Sequence, residues 1–227
     1  MNDGKLKLAK MIDHTLLRPE ATRDEVVRIC EEGEHYGFAS VCINPVWVSL
    51  ASRLLRGSKV KVDTVIGFPF GATISDVKIF ETKMVISKGA EEVDVVMNFG
   101  ALRSGDIELI RKELESIIDL AKGYGVISKV IIETCYLTRE EKIRACRLIM
   151  DSGADFVKTS TGFGKGGAVE EDVKLFSKIT RNKIGIKASG GIRTYEDALK
   201  MIKAGASRIG SSSGVDIVET ELKKRIL

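Results

Sequence analysis

The sequence predicts an α/β protein of the (β/α)8 TIM barrel class, on three observations. Short β-branched runs alternate with amphipathic helical patterns about eight times along the chain. The length, 227 residues, is near that of one such barrel. No Pro/Ser-rich stretch, charge block or low-complexity segment reads as a linker, so residues 1–227 are expected to form a single domain. Eight alternations without a second domain favour the closed barrel over a doubly wound open sheet.

The strand candidates, in order, are 11–17, 39–43, 60–66, 92–98, 128–133, 155–159, 183–189 and 207–210. Runs such as Val-Asp-Val-Val-Met and Lys-Val-Ile-Ile are nearly continuous in apolar residues, as expected of strands buried on both faces. After the first run, Thr22-x-x-Glu25 is a capping box that opens a helix. After the fourth comes the clearest helical period, 106–122, where Ile107, Ile110, Leu114, Ile117, Ile118 and Ala121 recur at three- and four-residue steps. Thr138-x-x-Glu141 is a second capping box, behind the fifth run. Behind the sixth, Val169, Val173, Phe176 and Ile179 repeat the apolar stripe, and Thr194-x-x-Asp197 caps the helix that follows the seventh.

Composition narrows the classes of function. Hydrophobic residues at 44% supply a large core, and charged residues at 30% a hydrated surface. The formal net charge is only +4 from 36 basic and 32 acidic residues, spread along the chain, which argues against a nucleic-acid partner. The densest basic cluster, Lys223-Lys224-Arg225, suits the C-terminal turn of a helix through its dipole. Cys30, Cys42, Cys135 and Cys146 form no C-x-x-C pair and His14 lies far from His35, so no metal site is expected. The N-terminal segment has no long apolar core, and no segment reaches about 18 apolar residues. A cytoplasmic protein with reduced thiols and no membrane partner is the expectation.

In a barrel of this class, function belongs to the C-terminal ends of the strands. Two lysines stand out there. Lys158 lies in Ala154-Asp-Phe-Val-Lys-Thr-Ser-Thr-Gly162 and Lys187 in Ile184-Gly-Ile-Lys-Ala-Ser-Gly-Gly-Ile192, each closing an apolar run. A buried ammonium is costly unless it is paired or loses its proton, and two close together depress each other's pKa. That is how a lysine becomes a nucleophile near neutral pH, and it points to Schiff-base chemistry. Asp94, on the fourth strand, shares the ring and can compensate the pair. A snorkelling or ion-paired lysine is the bland reading of either residue alone. Cys42 reads first as a small core residue, and His14 equally as a packed or a site-lining histidine. Asp13 and Thr15 point the same way along an extended strand, so both line the site or neither does.

Ser189-Gly190-Gly191 and Gly210-Ser-Ser-Ser-Gly214 form a second constellation, each a small-residue turn ahead of a helix. Such turns let backbone N–H groups approach an anion, and the loops after strands seven and eight are the usual phosphate site of this fold. A phosphorylated small-molecule substrate follows. The turn Thr159-Ser-Thr-Gly162 could add hydroxyl donors.

At these motifs the chain resembles the deoxyribose-phosphate aldolases, class I aldolases of the (β/α)8 fold. The matching segments include Ile12-Asp-His-Thr-Leu-Leu, Val41-Cys-Ile-Asn-Pro, Glu92-Val-Asp-Val-Val-Met-Asn, Phe156-Val-Lys-Thr-Ser-Thr-Gly-Phe, Lys187-Ala-Ser-Gly-Gly-Ile-Arg and Arg208-Ile-Gly-Ser-Ser-Ser-Gly, in order along nearly the whole chain. The resemblance implies that Lys158 forms the Schiff base, that Lys187 lowers its pKa, and that Asp94 acts in proton transfer. It further implies that Asp13 orients Lys187, that Thr15, Cys42 and Thr159 line the substrate site, and that Gly162, Gly190, Gly191, Ser212 and Ser213 hold the phosphate. The implied reaction is reversible cleavage of 2-deoxy-D-ribose 5-phosphate to D-glyceraldehyde 3-phosphate and acetaldehyde, without a metal or organic cofactor. A homo-oligomer, dimer or tetramer, is expected.

Three positions depart from the family pattern. Phe163 stands where some members carry a lysine, with Lys165 two residues on as a substitute contact or a solvated charge. The chain closes in Lys224-Arg-Ile-Leu227, where some members have a tail ending in tyrosine. Ser211 replaces a frequent Thr or Ala, with little consequence expected. Rival readings are another class I aldolase or an isomerase of phosphorylated sugars and, more distantly, a non-catalytic sugar-phosphate sensor.

Overall fold

The computed structural model of the chain describes residues 8–226. Residues 1–7 and 227 lie outside that range, and with them the readings of the N-terminal segment and of the chain end. Eight parallel strands close into a barrel in sequence order: β1 (Ile12–Leu16), β2 (Ser40–Ile43), β3 (Lys61–Ile66), β4 (Glu92–Val96), β5 (Ile127–Ile131), β6 (Phe156–Lys158), β7 (Gly185–Ser189) and β8 (Arg208–Ser211). The (β/α)8 expectation therefore holds, with β8 pairing back onto β1.

Around the barrel run α1 (Arg23–Tyr36), α2 (Val48–Leu54), α3 (Ser75–Ser87), α4 (Phe99–Ser104), α5 (Ile107–Gly123), α6 (Arg139–Asp151), α7 (Glu170–Thr180), α8 (Tyr195–Ala204) and α9 (Gly214–Ile226). The start signals act as the sequence predicts. Thr138 N–H donates to the Glu141 carboxylate at 2.7 Å while Glu141 N–H donates to Thr138 Oγ1 at 3.2 Å, and Thr194 and Asp197 exchange the same pair of bonds at 3.1 Å. In α5, Ile110, Leu114, Ile117, Ile118 and Ala121 are buried against the sheet.

Several strands are shorter than their sequence runs. The fifth run was expected to extend to 133, but β5 stops at Ile131 because Glu133 turns into the left-handed region with φ +50°. The sixth ends at Lys158, although Thr159 still donates its N–H to Lys187 O at 3.0 Å.

Apolar packing lies almost wholly between strands and helices, in two large clusters around Leu114, Val157 and Phe176 and around Val41, Val62 and Val93. The barrel axis is different. Alternate strands send four side chains into each layer of such a barrel, and one layer here is Asp13, Asp63, Lys129 and Lys187, from β1, β3, β5 and β7. Above it, from β2, β4, β6 and β8, sit Cys42, Asp94, Lys158 and Gly210. The interior that usually holds branched aliphatics is filled with charge.

Candidate active site

Register brings the reactive groups together. Lys158 is the strand partner of Lys187, and Asp94 of Lys129. Because side chains alternate across a strand, these positions all face the axis. Lys158 Nζ and Lys187 Nζ each lie 2.6 Å from the same oxygen, Asp94 Oδ2. Lys187 Nζ also meets Asp13 Oδ2 at 2.5 Å and Asp63 Oδ2 at 3.1 Å. Lys129 Nζ occupies the other side, 2.8 Å from both Asp94 Oδ1 and Glu92 Oε2 and 3.0 Å from Asp63. Arg208 completes the set, on Asp13 at 2.5 Å and Glu92 at 2.9 Å.

Four cations (Lys129, Lys158, Lys187, Arg208) thus face four carboxylates (Asp13, Asp63, Glu92, Asp94), and the cluster is neutral when all are ionised. Each of the three lysines and four acids is at most 2% exposed. Burial alone would make every charge unstable, and only mutual compensation retains it. Burial would lower the Lys187 ammonium, but Asp13, Asp63 and Asp94 hold it well above the ordinary lysine value. Lys187 is therefore a standing cation. Burial would likewise raise the Asp94 and Asp13 carboxyls, and the surrounding cations keep both far below the usual range. Glu92 goes the other way: burial, aided by Asp13 and Asp63, pushes its carboxyl up against Lys129 and Arg208.

Depression by a neighbouring cation does not reach Lys187, because the acids around it outweigh that neighbour. The sequence reading missed the other members of the cluster: Lys129, Asp63, Glu92 and Arg208. Their signal was present. Asp63 interrupts an apolar run and Lys129 opens one, and counting back two residues from Asp94 reaches Glu92 on the same face.

A cleft of about 400 Å³ opens above Lys158, lined by Thr15, Gly162, Gly190, Gly191 and Ser212 among others. Gly162, Gly190 and Gly191 all have φ between +80° and +87°, a conformation that suits glycine and turns the backbone N–H groups outward. Ser213 does not line the cleft; its N–H is taken by Ser211 Oγ at 3.0 Å. Ser211 Oγ in turn donates to Ile192 O at 2.6 Å, tying the two cradle turns together. Its hydroxyl has a consequence after all. Thr159 is absorbed by the wall, exchanging hydrogen bonds with Ser189 N and O at 3.1 Å.

Cys42 is fully buried below the cleft, where burial and then Asp63 push its thiol well above the usual value. It packs with Leu17, Val65 and Phe68. His14 faces away from the axis, with Nε2 2.7 Å from Glu32 and its ring 4.8 Å from Phe38. This decides the question left open by the sequence in favour of a packed histidine. Asp13 and Thr15 do share a face, Asp13 in the cluster and Thr15 on the cleft wall. Lys165 lies over the Tyr136 ring at 5.4 Å, and Phe163 stands edge-on to Phe68 at 5.3 Å. The cations on the cleft besides Lys158 are Arg18 and Arg193, which the sequence reading did not select.

Among the described residues, two groups of acidic and thiol ligands approach metal-site spacing: Cys42, Asp63 and Asp94, and Asp13, Asp63 and Glu92. Lys129 and Lys187 already pair with those carboxylates, so ammonium groups meet the demand for positive charge that a metal would otherwise meet.

Comparison with known proteins gives a consistent neighbourhood. The profile of the DeoC/LacD family aldolases matches residues 7–220. The chain is 56% identical to the deoxyribose-phosphate aldolase of Thermoanaerobacter sp. (strain X514) over 94% of its own length and 96% of the relative's. It is 57% identical to that of Geobacillus sp. (strain WCH70), over 93% and 95%. Among solved structures it is similar to the deoxyribose phosphate aldolase of Aeropyrum pernix, described as a unique tetramer. That pair gives a TM-score of 0.88 and 37% identity, covering 97% of this chain and 92% of the other.

Proposed function

The chain belongs to the DeoC/LacD family of aldolases, and on that premise we propose that it cleaves 2-deoxy-D-ribose 5-phosphate reversibly to D-glyceraldehyde 3-phosphate and acetaldehyde through a lysine Schiff base. The observation that carries this reading is the pair of ammonium groups of Lys158 and Lys187 on one oxygen of Asp94, under a cleft with a glycine-rich rim.

Lys158 is the nucleophile. Of the lysines in the cluster it alone lines the cleft, and Asp94 Oδ2 is 2.6 Å away to accept its proton. The neutral amine adds to the C1 aldehyde, and loss of water from the carbinolamine gives the iminium. That ion carries the same single positive charge as the ammonium it replaces, so the charge balance of the resting cluster is restored at the iminium. Asp94, acting through a water, takes the C3 hydroxyl proton as the C2–C3 bond breaks, and the electron pair of that bond moves into the iminium to give an enamine. Protonation at C2 and hydrolysis then release acetaldehyde and return Lys158. Lys187 stays cationic beside it and opposes a second charge on the nucleophile. Thr15 contributes a hydroxyl to the cleft wall. Gly162, Gly190, Gly191 and Ser212 receive the phosphate, with Arg18 and Arg193 as the nearby positive charges.

No helix among the described residues is long and apolar enough to cross a membrane; we read the enzyme as cytoplasmic, with no nucleic-acid partner. A homo-oligomer suits the tetramer described for the Aeropyrum pernix relative. It also suits the exposed apolar face formed by Phe70, Ile74, Phe80 and Met84 along and ahead of α3.

Borohydride reduction in the presence of acetaldehyde tests the assignment. The expected product is one covalent adduct at Lys158, located by peptide mass spectrometry; an adduct on another lysine overturns it. Lys187→Leu is expected to fold and to lose about 10²–10⁴-fold in kcat, the scale of a lost acid–base contribution. Unchanged turnover removes Lys187 from the mechanism.

A further inference from the structure

We infer that Glu133 is a positioning residue for the phosphate: its buried carboxylate holds the turn after β6 in the shape that presents Gly162 to the cleft. The inference rests on the phosphorylated-sugar reading above and extends it to a residue that lies outside the cleft wall and the charged cluster.

Glu133 is the non-glycine residue that ends β5, and it does so with φ +50° and ψ +67°. A residue with a Cβ adopts this region only when its surroundings over-determine it, and such residues concentrate at functional sites. Here the surroundings are visible. The side chain is 2% exposed and forms none of the ion pairs found among the described residues. Its carboxylate instead accepts from Thr161, from the backbone N–H at 3.3 Å and from the hydroxyl, with a longer contact of 3.9 Å from the Cys135 thiol on its other oxygen. Thr161 Oγ1 then accepts the Phe163 N–H at 3.0 Å. The chain of bonds thus brackets Gly162, and Thr161, Gly162 and Phe163 all line the cleft.

Further along, the same turn is clamped. Gly164 lies against Glu133 so closely that a Cβ there would be 3.0 Å from the Glu133 carboxyl carbon and from Cys135 Sγ. At the far end Ala168 N–H donates to Gly190 O at 3.0 Å. A Cβ on Gly167 would sit 2.2 Å from that same oxygen. The turn therefore spans from Glu133 to Gly190, joining two of the three cradle glycines. A carboxylate that accepts both a backbone N–H and a hydroxyl fixes direction as well as distance, and charge-assisted bonds of this kind are the stronger ones. Placing a negative side chain close to an anion site makes sense only if its charge is spent on these donors.

The test compares two substrates: 2-deoxyribose 5-phosphate and unphosphorylated 2-deoxyribose. Glu133→Ala is expected to raise KM for the phosphorylated sugar by about tenfold, on the scale of one charge-assisted hydrogen bond, with kcat within about twofold. The loss in kcat/KM is expected to be several times smaller on the unphosphorylated sugar. Glu133→Gln, which keeps an acceptor for the Thr161 N–H, is expected to recover part of the loss. Thr161→Val, which keeps shape and removes the hydroxyl link, is expected to shift KM in the same direction. Equal losses on both sugars, or a loss confined to kcat, overturn the role of Glu133. A wild-type enzyme that turns over neither sugar overturns the proposed function instead, so the two failures are distinct.

Discussion

Replacing Lys129 by methionine keeps the length of the side chain and removes one charge from the barrel axis. Four carboxylates then face three cations, with no exposure at the site. Lys129 makes three contacts at 2.8–3.0 Å, to Asp94, Glu92 and Asp63. Each is on the order of 5–6 kcal/mol at an effective dielectric near 20. Repulsion from Lys187 and the desolvation of Lys129 itself cancel most of that sum. Losing one member of a buried ion pair leaves a net cost of about 3–5 kcal/mol. For a chain of this size that corresponds to a fall in Tm of roughly 6–20 °C at pH 8.

The pH dependence fixes the cause. The Glu92 carboxyl already sits above its ordinary value, through burial and then through Asp13 and Asp63, and Lys129 is the chief group that opposes this rise. Without Lys129 it rises further. A carboxyl with a folded pKa above its unfolded pKa binds an extra proton on folding, so stability increases as pH falls through the folded value. The deficit of Lys129→Met is therefore expected to be largest at pH 8 and to shrink towards pH 5. Asp13 and Asp94 shift downward, so their stabilisation is lost only in stronger acid and adds nothing to the change over this window. Urea unfolding of both proteins from pH 5 to 8 measures this. A deficit below about 1 kcal/mol, or one of equal size at both ends of the range, refutes the compensated-cluster reasoning.

Two further substitutions separate site from scaffold. Gly167→Ala places a methyl 2.2 Å from Gly190 O; overpacking of this kind costs about 1–3 kcal/mol, and KM for the phosphorylated sugar is expected to rise as the two turns part, as steady-state kinetics and thermal unfolding will show. His14→Gln removes the 2.7 Å contact with Glu32, a partly exposed bond of about 1 kcal/mol, so Tm is expected to fall by a few degrees with kcat within about twofold. A tenfold drop in kcat at unchanged Tm would return His14 to the site.

The barrel was legible because its strands and helices carry different periods, and period survives without any knowledge of contacts. Lys158 and Lys187 were legible because each closes an apolar run, and Asp94 because it interrupts one. Lys129 opens its run instead of closing it, and so reads as the boundary of a strand. Arg208 opens β8 and reads as a boundary charge until the pairing of Lys187 with Arg208 puts it on the axis. Glu133 was harder still. Its importance lies in a backbone angle, and glutamate gives no warning of a left-handed conformation. Thr159 and Ser213 resemble substrate ligands by type and place, yet the Thr159 hydroxyl is engaged by Ser189 and the Ser213 N–H by Ser211. Sequence shows which donors exist; only the fold shows which are already committed.

The strand register gives the site one more property. Lys158 sits beside Lys187, and Asp94 beside Lys129, as partners in a sheet that has no free edge. A slip of one residue in a strand that carries one of these charges would turn it outward, and a closed ring has nowhere to absorb such a slip. The nucleophile and its neighbours cannot drift apart by degrees. Activity is therefore expected to end as abruptly as the fold and at the same temperature, which parallel activity and circular-dichroism melts will check.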